Sequence, residues 1–393
     1  MQQSLRLLFA LLLASTLFAC RGGDKPGETT GGSGDTNVIR IGHLASMTGS
    51  EATFGMQTDQ GVRLAMDEIN AAGGINGKKI EIITEDNQSK TDATKTAIEK
   101  LLAKDKVNAV IGEVASGRTL AAAPSAMAAK VPLLSSASTN PDVTVDPRTG
   151  TVKDYIFRIC FIDPFQGEVM AKFAVQKGWK KVAVLQGNAQ AYSVGLAKNF
   201  KETFTKMGGQ IVAEQGYEDG KTDFKGQLTS IKGNSPDAIF IPGYYNEVSL
   251  IAIQARELGI NVPLFGGDGW DSPKLTEGAA GKALEGCFFS NHYSEQDTSA
   301  IVRDFIGRFQ KKYSAAPGAM SALGYDAMMI IAKVIKEKGK ADPESIRAGL
   351  AALQNYPGVT GTISIDAQHN ARKPAVVLEI KGGKFTYSST VAP

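Results

Sequence analysis

The segment from Ile41 to Asp86, IGHLASMTGSEATFGMQTDQGVRLAMDEINAAGGINGKKIEIITED, decides the fold. It reads as strand, polar loop, amphipathic helix, glycine turn and strand, the opening βαβ unit of a parallel sheet. Val62, Ala65, Met66 and Ile69 recur at i, i+3, i+4 and i+7 and give the helix one apolar face. The loop before it, Ser46-Met47-Thr48-Gly49-Ser50, is small and hydroxyl-rich. Such loops lie beyond the carboxyl ends of the strands, where open parallel sheets bind small molecules.

The same alternation runs outward from this unit. Strand-like runs at Val38–Leu44, Lys79–Glu85, Asn108–Val114 and Val131–Ala137 alternate with helical patterns at Gly55–Ala72, Thr91–Lys104 and Ser116–Lys130. After a polar loop from Asn140 to Lys153 the plan repeats, with strands at Lys181–Gln186, Gln210–Tyr217, Asp237–Ile241 and Pro263–Gly266. A further extended run, Leu284–Ser290, leads into three helical segments and the closing strands Gly361–Ile365 and Ala375–Ile380. The expected fold class is α/β: two doubly wound, Rossmann-like lobes. The late helices are expected to return to the first lobe, giving a three-strand hinge with crossings near Ile159–Ile162, Cys287–Phe289 and Val359–Thr362. The expected division is 38–159 plus 289–360 for one lobe and 162–287 plus 362–393 for the other.

The N-terminus reads as an address. Leu7 to Phe18 is an apolar run of about a dozen residues, too short to span a bilayer, and it ends in Leu17-Phe18-Ala19-Cys20. That tetrapeptide resembles a bacterial lipobox, so residues 1–19 are expected to be a lipoprotein signal peptide and Cys20 the lipidated first mature residue. Residues 20–37 are polar and rich in glycine, the composition of a flexible tether. An extracytoplasmic, lipid-anchored location follows. About 355 residues remain, suited to two lobes. Lys plus Arg of 43 against Asp plus Glu of 40 leaves no basic surface to attract nucleic acid. Cys160 and Cys287 allow one disulfide in an oxidising compartment or two buried thiols, and both readings stay open.

Two chemically different sets of residues follow the strands. In the first half they are Ser46 to Ser50, Ala115-Ser116-Gly117 and Ser135 to Asn140, hydroxyls and amides, with Ser116 at a helix start that favours an anion. In the second half they are Asn188 to Tyr192, Gly243 to Glu247 and Gly267-Asp268-Gly269-Trp270-Asp271, aromatics around an acid. An acid among Tyr and Trp suits a ligand ammonium, and the hydroxyl set suits a carboxylate. Together they describe a zwitterion, an α-amino acid. Taken singly, each of these residues also has an ordinary role: Ser and Thr as turn and cap residues, Tyr244 and Trp270 as packing, Asp268 and Asp271 as solvated turn acids. The inference rests on their convergence. His43, His292 and His369 are scattered and read as structural or exposed, and there is no HExxH, CxxC, GxSxG or phosphate-binding glycine motif. No enzyme activity, metal or cofactor is expected.

The pieces IGHLASMTGSEATFG, DEINAAGGINGKKIEI, AVIGEVASGRT, VPLLSSASTNP, FRICFIDPFQG, PGYYNE, QARELGI and PLFGGDGW, in this order, resemble the periplasmic leucine/isoleucine/valine-binding proteins, solute-binding subunits of ABC importers. The resemblance implies the type I two-lobed fold with a ligand trapped in the cleft. It puts the carboxylate-binding serine on Ser116, backbone and hydroxyl contacts on Ala137 and Thr139, a covering aromatic on Phe54, tyrosines on Tyr192 and Tyr244, and the ammonium-binding acid on Asp268, with Trp270 beside it. Asp268 stands where relatives carry Glu; the acid is one methylene shorter, which enlarges the pocket or draws the amine deeper. The implied partners are an apolar or branched-chain amino acid, a membrane ABC permease and the membrane through the lipid, with the protein a monomer. A sensory lipoprotein of the same fold, or a receptor for an amide or an aromatic acid, is the alternative.

Overall fold

The runs Ala109–Gly112 and Ala238–Ile241 are buried along their whole length, as parallel strands covered by helices on both faces must be. They are interior strands of two sheets in a computed structural model that describes residues 37–392. The expectations for residues 1–19, for Cys20 and for the tether up to Thr36 lie outside the described residues.

The first half runs β1 (Val38–Ala45), α1 (Ala52–Ala71), β2 (Lys79–Asp86), α2 (Thr91–Glu99), β3 (Ala109–Gly112), α3 (Ser116–Ala129), β4 (Leu133–Ser135) and β5 (Ile156–Arg158). Its five strands are parallel, in the order β2-β1-β3-β4-β5. The second half runs α4 (Asp163–Gln176), β6 (Lys181–Gly187), α5 (Ala191–Lys206), β7 (Gln210–Tyr217), α6 (Lys225–Gly233), β8 (Ala238–Ile241), α7 (Tyr245–Glu257), β9 (Leu264–Gly266), α8 (Gly278–Ala283) and β10 (Cys287–Asn291). Three helices follow, α9 (Ala300–Tyr313), α10 (Ala319–Lys338) and α11 (Pro343–Ala351), then β11 (Tyr356–Gly358), β12 (Gly361–Ile365), β13 (Ala371–Arg372), β14 (Ala375–Lys381) and β15 (Lys384–Val391). The second sheet has the order β15-β14-β10-β9-β8-β6-β7, parallel from β10 to β7, with β14 and β15 antiparallel at one edge. The two doubly wound lobes expected from the alternation are present.

Strand order reverses between β1 and β3 in the first sheet and between β6 and β8 in the second. Ligands bind at such switch points, beyond the carboxyl ends of the strands. The late helices return to the first lobe, where α10 packs along α1. Two glycines allow that contact: a Cβ on Gly61 would stand 1.9 Å from the Ser321 carbonyl oxygen, and one on Gly324 would stand 2.4 Å from that of Thr58.

Two crossings differ from expectation. All of Cys287–Asn291 pairs within the second sheet, so the chain leaves that sheet after Asn291 rather than at Cys287–Phe289, and residues 289–291 belong with the second half. Residues 362–372 likewise stay beside the first half, since β11, β12 and β13 form a small sheet of their own. Buried Asp326 of α10 anchors it by accepting the Val359 and Thr360 amides at 2.8 and 2.9 Å. The return to the second sheet comes just before Ala375.

Cys160 and Cys287 are both free, so the optional disulfide is absent. Cys287 begins β10, at the end of the strand away from the switch point, and its sulfur accepts from Arg256 at 3.5 Å. Cys160 lies just past β5, its thiol 3.4 Å from the Ser138 carbonyl oxygen. Among the described residues no helix is long and apolar enough to cross a membrane.

Candidate functional site

The first-lobe wall is set by a buried ionic bridge. Arg118 joins Glu51, just before α1, to Glu113, just after β3, and Ser46 donates to the other Glu113 oxygen at 2.8 Å. This ties the loops after β1 and β3 together. Helix α1 starts at Ala52, three residues before the expected Gly55, because the Phe54 amide already bonds the Glu51 carbonyl at 3.0 Å. Phe54 is therefore fixed on the first helical turn and buried, rather than carried by a loop. Ser116 is the first residue of α3, with Ala115 in the cap position where Ser116 was expected. The Ser116 hydroxyl accepts the Asn140 amide at 3.3 Å, which leaves its own hydrogen for another acceptor at a helix end that favours anions.

The second-lobe wall comes from the turns after β6, β8 and β9. Tyr192 stands in the first turn of α5 and Tyr244 immediately before α7; their rings stack with centroids 5.1 Å apart. The Tyr192 hydroxyl accepts the Gly269 amide at 3.1 Å, which binds the tyrosine pair to the turn carrying Asp268. Asp268 is buried, and each carboxylate oxygen accepts one hydrogen bond, from Gln166 Nε2 at 2.8 Å and from His292 Nε2 at 2.9 Å. Burial holds the His292 imidazole below its usual range, so the donor is a neutral ring. Burial likewise pushes the nearby Asp163 carboxyl up to about 8.

Between the walls lies a narrow space lined by Phe54, Val114, Ser116, Ala137 and Met320 on one side and Tyr192, Tyr244, Asp268 and Gly269 on the other. Six of the eight residues expected to touch a ligand are thus brought together. The other two sit behind it. Trp270 donates its indole N–H to the Ile241 carbonyl at 2.9 Å and stacks toward Phe289 inside the second lobe, so its ring does not line the space. Thr139, fully buried, is directed toward α4, where its carbonyl accepts the Asp163 amide at 2.9 Å. Val114, Gly269 and Met320 were not among the eight; Val114 ends an apolar run, which is indistinguishable in sequence from core. Gln166 and His292 carry no signal at all, since each meets Asp268 only through the fold.

The two lobes touch directly around this space. Tyr245 accepts the Thr53 amide at 3.3 Å and donates to the Ser50 carbonyl at 3.0 Å, and the Asn246 amide group reaches the same carbonyl. Asn140 donates to the Ala191 carbonyl at 2.7 Å. Asp271 accepts the Ala319 amide at 2.7 Å and so caps α10 from the opposite lobe. Phe54 packs edge-on against both Tyr244 and Tyr245, at 6.0 and 4.9 Å. This is a closed cleft. Chemically it offers an acid at one end, a hydroxyl and a helix N-terminus at the other, and apolar walls between.

The family profile for periplasmic binding proteins matches residues 38–384. Among curated relatives, a leucine-, isoleucine-, valine-, threonine- and alanine-binding protein of Pseudomonas aeruginosa is 28% identical over 332 residues, 84% of this chain and 86% of its own length. The solved substrate-binding protein of a branched-chain amino acid transporter from Streptococcus pneumoniae, in complex with isoleucine, superimposes with a TM-score of 0.84 at 37% identity, covering 91% of this chain and 100% of that one. A solute-binding protein of an ABC transporter from Rhodopseudomonas palustris, in complex with 3,4-dihydroxy benzoic acid, gives a TM-score of 0.80 at 28% identity, covering 91% and 98%. With the profile spanning both lobes and the cleft between them, this chain belongs to the periplasmic binding protein family.

Proposed function

We propose that the protein captures an apolar or branched-chain α-amino acid between its lobes and presents it to a membrane ABC permease. The observation that carries this reading is the opposition of buried Asp268 to Ser116 across a small, largely apolar space. Asp268 takes the ammonium, Ser116 and the start of α3 take the carboxylate, and Phe54, Val114 and Met320 with the tyrosine pair wall the side chain. Ala137 lies at the carboxylate and ammonium end, with Thr139 supporting that wall from behind and Trp270 supporting the Asp268 turn from behind.

The lobes, residues 38–159 with 292–372 and 162–291 with 375–392, turn about the three crossings to admit and release the ligand. Cys20 anchors the mature protein to the outer face of a bacterial membrane through its lipid, and the cleft works as a monomer without catalysis.

Because a relative is known in complex with an aromatic acid, the competing ligand class is a benzoate. Asp268 argues against it. A benzoate has no cation to set beside a buried carboxylate, and leaving that charge unpaired is costly. A thermal-shift screen separates the classes, since a ligand that binds only the folded state raises its melting temperature. Leucine, isoleucine and valine are expected to stabilise the protein and 3,4-dihydroxybenzoate to leave it unchanged; stabilisation by the benzoate alone contradicts the proposal.

A further inference from the structure

Asp268 opens a three-residue helical turn, Asp268–Trp270, and its carboxylate takes its side-chain hydrogen bonds from two other elements. Its two donors come from different crossings. Gln166 lies in the first turn of α4, just after the chain enters the second lobe, and His292 follows β10, where the chain leaves it. The His292 ring lies on Phe161 of the first crossing, with centroids 3.8 Å apart and planes at 25°. The charge of Lys373, at the third crossing and also buried, acts on the same ring and helps to keep it neutral. A neutral ring bonded through Nε2 donates its only N–H to the acid. Each Asp268 oxygen then has one position filled and keeps another for a ligand, and the carboxylate's charge is left for the ligand to neutralise.

We infer that His292, together with Gln166, is a positioning residue for ammonium recognition, holding the Asp268 carboxylate in the orientation that receives the ligand amine. The inference rests on the amino-acid reading above and adds to it that the hinge itself shapes the ammonium end of the cleft. An imidazolium at this position would oppose the amine; a residue without a donor would let the carboxylate turn.

The test is calorimetric titration of the full chain with L-leucine. His292→Phe keeps a ring on Phe161 but removes the donor, and is expected to weaken binding about tenfold. His292→Gln restores an N–H and recovers most of that loss. In an Asp268→Asn background, where the acid is already gone, His292→Phe costs less than about twofold, because the two residues act as one unit. Equal losses in both backgrounds, no loss in His292→Phe, or no recovery in His292→Gln overturns the inference. Should His292→Phe fail to fold, Gln166→Leu carries the same comparison in the same two backgrounds. Wild-type protein that binds leucine while ignoring these substitutions removes only the inference. Wild-type protein that binds no amino acid removes the amino-acid reading with it.

Discussion

Both side chains that bond Asp268 are uncharged, Gln166 and a neutral His292. A carboxylate in that setting, 3% exposed, is poorly compensated until something cationic arrives, and a ligand ammonium supplies the missing charge. Asp268→Ala is therefore expected to weaken amino-acid binding at least tenfold, about 1.4 kcal/mol, in a calorimetric titration. Ser116→Ala is expected to cost a similar amount by removing a donor from the carboxylate end. Residue identities at the strand ends were readable because open parallel sheets always expose those loops to the ligand. Side-chain direction was not. Asp268 and Trp270 lie two residues apart in one turn, yet the acid faces the cleft and the indole faces the core, a choice made by the Ile241 carbonyl that accepts the indole N–H.

At the scale of elements, α1 and α10 are held together by the absence of two side chains. Gly61→Ala would drive a Cβ into the Ser321 carbonyl, and is expected to destabilise the fold by about 1–3 kcal/mol, read as a lower denaturation midpoint with an unchanged slope. Two acids beside the closed cleft are held away from water. Asp271, capping α10 from the far lobe, is pushed up to about 7 by burial, with Asp268 and Glu295 adding to the shift. Glu247 is raised to about 7 by burial, with Glu51 and Asp219 adding to it. An acid whose value is higher in the closed form favours closure most when protonated. That contribution is complete below the ordinary carboxylate range, near 4, and is lost as pH rises through about 7. Leucine affinity is thus expected to fall several-fold between pH 5 and pH 8, and the double variant Asp271→Asn, Glu247→Gln to flatten the profile. An affinity that rises over the same range contradicts the assignment. Elements with strong periodicity were legible before the fold was known. The last strand, Lys384–Val391, was not, because it is an exposed edge without alternation, although the Gly382-Gly383 pair with positive φ before it marks a two-residue hairpin turn.

For the whole molecule, the alternation of strands and helices was enough to give two lobes, and the chemistry of the strand ends was enough to place them face to face. The hinge was harder to read. Its crossings are short segments whose position depends on which sheet captures the neighbouring strand, and Cys287 became the first residue of a strand because β14 pairs with it while β9 pairs with the next two residues, Phe288 and Phe289. That same arrangement keeps Cys287 and Cys160 apart. Titration of the wild-type chain with L-leucine and with its des-amino analogue 4-methylpentanoate measures directly whether the cleft reads both charges of an amino acid. Leucine is predicted to bind at least tenfold more tightly, a difference of about 1.4 kcal/mol supplied by the ammonium at Asp268; equal affinities, or tighter binding of the acid that lacks the amine, would contradict it.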